Sequence, residues 1–176
     1  MNNALSKFDK QCLKKAIDVA TETFKRGVNY PVGAVLCIDN EIVDIVGNEI
    51  NGRKSLVKHA ENTLIIRNDR KLYMASKAGK TICLYSTLEP CIQCLGSCVT
   101  NKVNKIFYIQ KDPNGGACDI RYDNIGSRYK EFWPEIIYAP ISKIPKKLMV
   151  AHFKSNLKNR INIEWANKML GLLKNA

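Results

Sequence analysis

Apolar side chains recur at Leu5, Phe8, Cys12, Leu13, Ala16, Ile17, Val19, Ala20 and Phe24. That spacing lines one face of a helix over residues 5–26, and Gly27 stands where such a helix stops. The pattern then changes to two short apolar runs, GAVLCI (33–38) and EIVDIV (41–46), separated only by Asp39-Asn40. Two such runs around a two-residue turn predict a β-hairpin. Downstream, HAENTLIIRN (59–68) reads as a second helix, TICLYST (81–87) as a buried strand, and CIQCLGSCVTN (91–101) as a third helix. VNKIFYIQ (103–110) predicts a further strand, EIIYAP (135–140) an edge strand, and residues 146–174 one or two terminal helices. Alternating strands and helices imply an α/β fold, with parallel pairing, right-handed crossovers and helices on both faces of a sheet.

Composition narrows the class without changing that outline. The chain has 176 residues, 45% of them hydrophobic and 25% charged, which suits one globular domain over 1–176 rather than a disordered chain. Lys7, Asp9, Lys10, Lys14, Lys15 and Asp18 interrupt the first twenty residues. They leave no apolar signal-peptide core, and no run elsewhere is long enough to cross a bilayer, so no membrane association and a cytoplasmic location are expected.

The seven cysteines are an odd number and lack the even spacing of a disulfide framework. Cys37 and Cys83 sit inside apolar runs and read as small buried hydrophobes, and a structural role is also preferred for Cys12, Cys98 and Cys118. Cys91 and Cys94 differ, because they follow Glu89-Pro90 at the start of a predicted helix. A spacing of three puts both thiols on one helix face, and the positive helix end favours their thiolates. Pro90 suits a helix start because the donor it lacks would be unpaired there. His59 opens the preceding helix, and with the two thiols it makes a one-nitrogen, two-sulfur set suited to Zn2+. Three protein ligands leave a position for water, whose pKa zinc lowers to roughly 7. Glu61, two residues beyond His59, is the candidate general acid/base. The alternative is a structural zinc closed by His152, which reads more simply as a residue of the C-terminal helices.

The segments HAE (59–61) and EPCIQC (89–94) resemble the His-x-Glu and Pro-Cys-x-x-Cys signature of the zinc-dependent cytidine/deoxycytidylate deaminase superfamily. YPVGAVL (30–36), Asn48 and TLEPC (87–91) look like its branch of guanine, cytosine and nucleoside deaminases and tRNA-specific adenosine deaminases. The resemblance covers about residues 5–118 and implies a three-layer α/β/α sandwich with a five-stranded mixed sheet. It implies zinc on His59, Cys91 and Cys94, proton transfer by Glu61, and a substrate hydrogen bond from Asn48. By the same resemblance the backbone around Val32, Gly33 and Ala34 would line the base pocket, with Ala60, Glu89 and Pro90 of the two motifs beside it. A homodimer is expected on this ground alone. SLVKHAE (55–61) departs from the branch, which commonly carries Asp-Pro before His-Ala-Glu.

Charge bears on the substrate. The net charge is +12, and residues 121–176 carry eleven Lys/Arg against four Asp/Glu. Within them residues 142–160 hold six cations and no acid, a pattern that suits either a phosphate backbone or a solvated helix face. The basic helical extension at about 143–176 is therefore the expected contact if the substrate is tRNA. The motifs favour a small-molecule nucleobase or nucleoside first and tRNA adenosine second. A third reading, from another class, is an RNA-binding module with structural zinc. Phe153 and Trp165 are expected to pack in the core beside Leu148, Leu157 and Leu170 rather than to close over a substrate.

Overall fold

The computed structural model describes residues 5–155 and 160–174. Helix α1 (Lys7–Lys25) starts at Ser6, whose hydroxyl accepts the Asp9 N–H at 3.0 Å while the Asp9 carboxylate accepts the Ser6 N–H at 2.9 Å. This reciprocal capping satisfies two backbone donors that the helix itself cannot pair. Strands β1 (Gly33–Ile38) and β2 (Glu41–Gly47) form the hairpin, with Asp39 and Asn40 at φ 49° and 63°. Asn and Asp tolerate that left-handed geometry, which matches the twist of the paired strands.

After the hairpin come helices α2 (Ile50–Arg53), α3 (Ala60–Arg67) and α4 (Asp69–Lys77), then strand β3 (Ile82–Leu88). Helix α5 (Ile92–Thr100), strand β4 (Lys105–Gln110), helix α6 (Ser127–Glu131) and strand β5 (Glu135–Tyr138) follow, and helices α7 (Ile144–Ser155) and α8 (Arg160–Lys174) end the chain. Sheet order is β2-β1-β3-β4-β5. β1 is antiparallel to both β2 and β3, while β3, β4 and β5 are parallel. The expected hairpin supplies the antiparallel side of the sheet and the strand–helix alternation its parallel side. Strand β2 does run in the same direction as β3, but the hairpin inserts β1 between them, which makes the sheet mixed.

Alternation along the strands separates two cores. Val35, Cys37, Tyr85 and Phe107 face α1 through Cys12, Leu13, Ala16 and Ile17. Ala34, Leu36, Leu84 and Ile106 face the other way, toward Leu64, Leu72 and Leu95 of α3, α4 and α5. Met149 and Phe153 of α7 and Ala166 and Met169 of α8 extend that second core. The result is a three-layer α/β/α sandwich. Phe153 is fully buried and meets Trp165 edge-on at 4.9 Å, so the expected packing applies to it. Leu157 and Lys158 of the basic segment lie outside the described residues. Among those residues, no helix is long and apolar enough to cross a membrane.

Candidate active site

The second core leaves room at one end of the sheet, where the starts of α3 and α5 meet. His59 and Cys91 are the extended residues immediately before α3 and α5, and Glu61 and Cys94 occupy their first turns. One candidate metal-binding group is found among the described residues, and it consists of His59, Cys91 and Cys94, with ligand atoms all within 4.8 Å of one another. His59 Nδ1 lies 3.7 Å from Cys91 Sγ, which is 3.6 Å from Cys94 Sγ. Ligands bound to one tetrahedral zinc at roughly 2.0–2.3 Å stand about 3.5–3.8 Å from each other, so this donor set fits the ion in both chemistry and spacing.

Electrostatics single out one of the three donors. Sharing of the Cys94 proton, with help from His59, brings the Cys91 thiol down to about 4, so Cys91 is the thiol that ionises first. Cys94 is pushed up by the same sharing and by burial. His59 is raised, chiefly by its contact with Cys91. Glu61 is buried at 3% exposure, and burial raises its carboxyl above the usual range. The opposing influence is Ser86, whose hydroxyl donates to Glu61 Oε1 at 2.6 Å, while Cys94 Sγ lies 3.5 Å from Oε2. A buried carboxyl with one oxygen held by Ser86 and the other beside the metal ligands is oriented for proton transfer at that point.

A cavity of about 360 Å³ opens onto this group. His59, Glu61, Cys91, Val32, Asn48 and Glu89 lie on its wall. Cys94 is fully buried behind Glu61. Asn48 accepts the Ile50 N–H on Oδ1 at 3.0 Å, which leaves its amide N–H donors for a ligand. Gly33, Ala34, Ala60 and Pro90, expected at the substrate, pack around the cavity rather than on its wall. Gly33 is pressed against α1, where a Cβ would come 2.3 Å from the Ala16 carbonyl oxygen, and its N–H donates to Thr87 Oγ1. Ala34 and Ala60 are fully buried in the core, and the Pro90 carbonyl accepts the Ala117 N–H. Glu89 reaches the wall, but its two oxygens accept the N–H groups of Asp112 and Cys118 at 3.1 and 3.0 Å. Its carboxylate therefore shapes the loop over residues 112–118. His152 packs instead against the rings of Tyr30 and Phe153, at 5.1 and 5.8 Å, and does not belong to the metal group.

Several wall residues were not among the expected substrate contacts, although Tyr30 lies in the YPVGAVL segment. Tyr30, Leu56, Asp112, Gly115, Met149 and Trp165 all line the cavity. Met149 and Trp165 arrive from α7 and α8, far along the chain, and only tertiary packing brings them in. Trp165 packs against the core and on Phe153 as expected, and its half-buried ring also faces the cavity. Ser86 reads as one more position of a buried strand, although Ser in such a run was the available clue.

A mixed five-stranded sheet with a His, Cys and Cys set and a buried glutamate at its end defines a zinc-dependent deaminase type of site. The family profile described as the cytidine and deoxycytidylate deaminase zinc-binding region matches residues 6–110, and the chain belongs to this family. A tRNA-specific adenosine deaminase of Bacillus subtilis is 35% identical over 109 residues, 62% of this chain and 66% of that relative's length. A guanine deaminase of the same organism is 33% identical over 96 residues, 54% of this chain and 60% of the relative. A solved structure from a study of A-to-I editing by tRNA:A34 deaminases at the wobble position of transfer RNA superposes with a TM-score of 0.60 at 23% identity. It covers 79% of this chain and 99% of that one, and shows the shared fold.

Proposed function

We propose that this protein is a zinc-dependent hydrolytic deaminase that exchanges the exocyclic amino group of a nucleobase for a carbonyl, and that the base is an adenine carried in RNA. The observation that carries the chemistry is the buried Glu61 carboxyl at the rim of the His59, Cys91 and Cys94 group. When bound, zinc supplies the Lewis acidity that makes water a nucleophile at neutral pH. His59, Cys91 and Cys94 would hold it beside the cavity. Glu61 accepts a proton from the attacking water and delivers it to the ring nitrogen beside the reacting carbon as the C–O bond forms, then passes the remaining hydroxyl proton to the departing nitrogen, so that the carbonyl is completed, the C–N bond breaks and ammonia leaves. Asn48 donates to the base and sets its orientation. The preference for adenine in RNA rests on the similarity to the tRNA-specific adenosine deaminase and on the net charge of +12.

A second reading is a free base or nucleoside. Its support is the small cavity, walled by Met149, Trp165 and Leu56, together with the similarity to a guanine deaminase. The test is ammonia release by zinc-loaded protein from adenine, guanine, cytosine, their nucleosides and an unmodified tRNA pool, with Glu61→Ala as control. Release from tRNA alone, lost in the control, supports the first reading. Release from a small molecule alone replaces it with the second.

A further inference from the structure

A second cleft, of about 400 Å³, lies beside the catalytic cavity and shares Asn48 with it. The partition between them is helix α2. Ile50 and Asn51 face the cavity, while Gly52 and Arg53 face the cleft. This partition is anchored, because Asn29 Oδ1 accepts the Gly52 N–H at 2.9 Å, Asn51 Nδ2 donates to the Val28 carbonyl at 2.9 Å, and the Glu49 N–H donates to the Lys58 carbonyl at 3.0 Å. Leu56, also on the cavity wall, is 82% exposed, so the cavity opens to solvent on the α2 side. A polymer whose base enters the cavity and whose chain crosses α2 would meet the cleft next.

The cleft is built for an anion. Arg26, at the end of α1, and Arg53 both line it, and neither is in an ion pair among the described residues. Lys25, Lys54 and Lys58 lie close to them in sequence. Of the two acids on the wall, Glu22 is held by Lys25 at 2.7 Å, leaving Glu49 as the opposing charge. Arg side chains are suited to bidentate contact with phosphate oxygens.

We propose that this cleft binds a backbone phosphate of single-stranded RNA next to the nucleotide whose base occupies the catalytic cavity, with Arg26 and Arg53 as its ligands. The assignment rests on the RNA reading of the site. It moves the principal phosphate contact from the basic C-terminal segment to the α1 end and α2.

The test measures binding of a fluorescein-labelled heptaribonucleotide, one adenosine flanked by uridines, to the zinc-loaded full chain as a function of salt. Arg26→Ala with Arg53→Ala should weaken binding about 10-fold at low salt and reduce the salt slope by about 0.7 for the phosphate lost. Replacing both by Lys should retain most of the affinity, and Glu49→Gln should tighten binding. Lys146→Ala with Lys147→Ala on α7 should have the smaller effect. Zinc content and melting temperature, measured on every variant, separate lost binding from lost folding. If wild type binds the RNA and the arginine variants, folded and zinc-loaded, bind equally well with the same slope, the subsite is wrong and the RNA reading survives. Failure of wild type to bind RNA even at low salt overturns both. Competition by adenosine 5′-monophosphate far exceeding that by adenosine, and dependent on the two arginines, would assign the cleft to a mononucleotide instead.

Discussion

In the proposed reaction Glu61 is the residue on which the chemistry turns, and its surroundings set it apart from the candidate metal ligands. It touches Cys94 and Ser86 but is not a member of the ligand set. Glu61→Gln keeps the shape and removes the exchangeable proton, so turnover should fall by about 10²–10⁴-fold. Metal analysis should still find one zinc per chain, because the donor atoms are intact. A variant that lost its zinc as well would make Glu61 a structural residue and sink the assignment. The grouping of His59, Glu61, Cys91 and Cys94 was readable from sequence because each occupies a fixed place relative to a helix start, where the backbone dictates direction. Asp112, Met149 and Trp165 were not, because their presence on the wall depends on a loop held by Glu89 and on helices that fold back over the sheet. Gly33, Ala34, Ala60 and Pro90 lie off the wall for a related reason: a motif names neighbours along the chain, whereas facing is decided by pleat and packing.

At the level of elements, α1 is fastened to the sheet at both ends of its contact. Near its start, the Tyr85 hydroxyl of β3 donates to Asp9 Oδ1 at 2.7 Å. Burial raises the Asp9 carboxyl, but the hydroxyl bonds from Ser6 and Tyr85 and the Ser6 N–H outweigh it and hold the carboxyl below its ordinary value. A depressed carboxylate contributes stability that is present above about pH 4 and is lost as pH falls through the folded value. Thermal melts between pH 5 and 3 should therefore show a steeper loss for wild type than for Asp9→Asn, and equal slopes would show that Asp9 plays no such part. Ser6→Ala removes one half of the capping and should cost about 1 kcal/mol in urea unfolding at neutral pH. Further along, Gly33 lets β1 approach the helix, and Gly33→Ala would bring a Cβ within 2.4 Å of Val19 Cγ1 and 2.8 Å of the Ala20 nitrogen. With backbone on two sides the clash cannot be relieved by rotation, so the loss should reach the upper end of the ~1–3 kcal/mol typical of overpacking. The amphipathic α1 and the hairpin were legible in the sequence for the reason they are stable, a period of apolar positions matched to the element. Helices α2, α4 and α6 were hidden: α2 has four residues, one of them glycine, α6 has no buried residue, and α4 buries only Leu72 and Ala75 among polar neighbours.

Across the whole molecule, a bound zinc would do more than chemistry, because its candidate ligands come from two helices on opposite sides of β3 in the sequence. His59 precedes α3, whereas Cys91 and Cys94 belong to the start of α5. The packing of α3 on α5 supports the same junction, yet the described contacts there include a thiol that burial disfavours as an anion and a carboxyl driven toward its neutral form by burial. An ion that satisfies both sulfurs removes that frustration and ties the helix starts together, and its binding free energy then adds to folding stability. At free zinc one hundred times its dissociation constant the gain is about 2.7 kcal/mol. Chelation should lower the melting temperature by several degrees and stoichiometric zinc should restore it. Cys91→Ser should begin near the chelated value and respond little to added metal, while Glu61→Gln should respond as wild type does. The three proteins together distinguish a metal that braces the junction from one that merely visits it: if chelation removes activity but leaves all three melting curves superimposed, the brace is absent and the helix starts are held by packing alone.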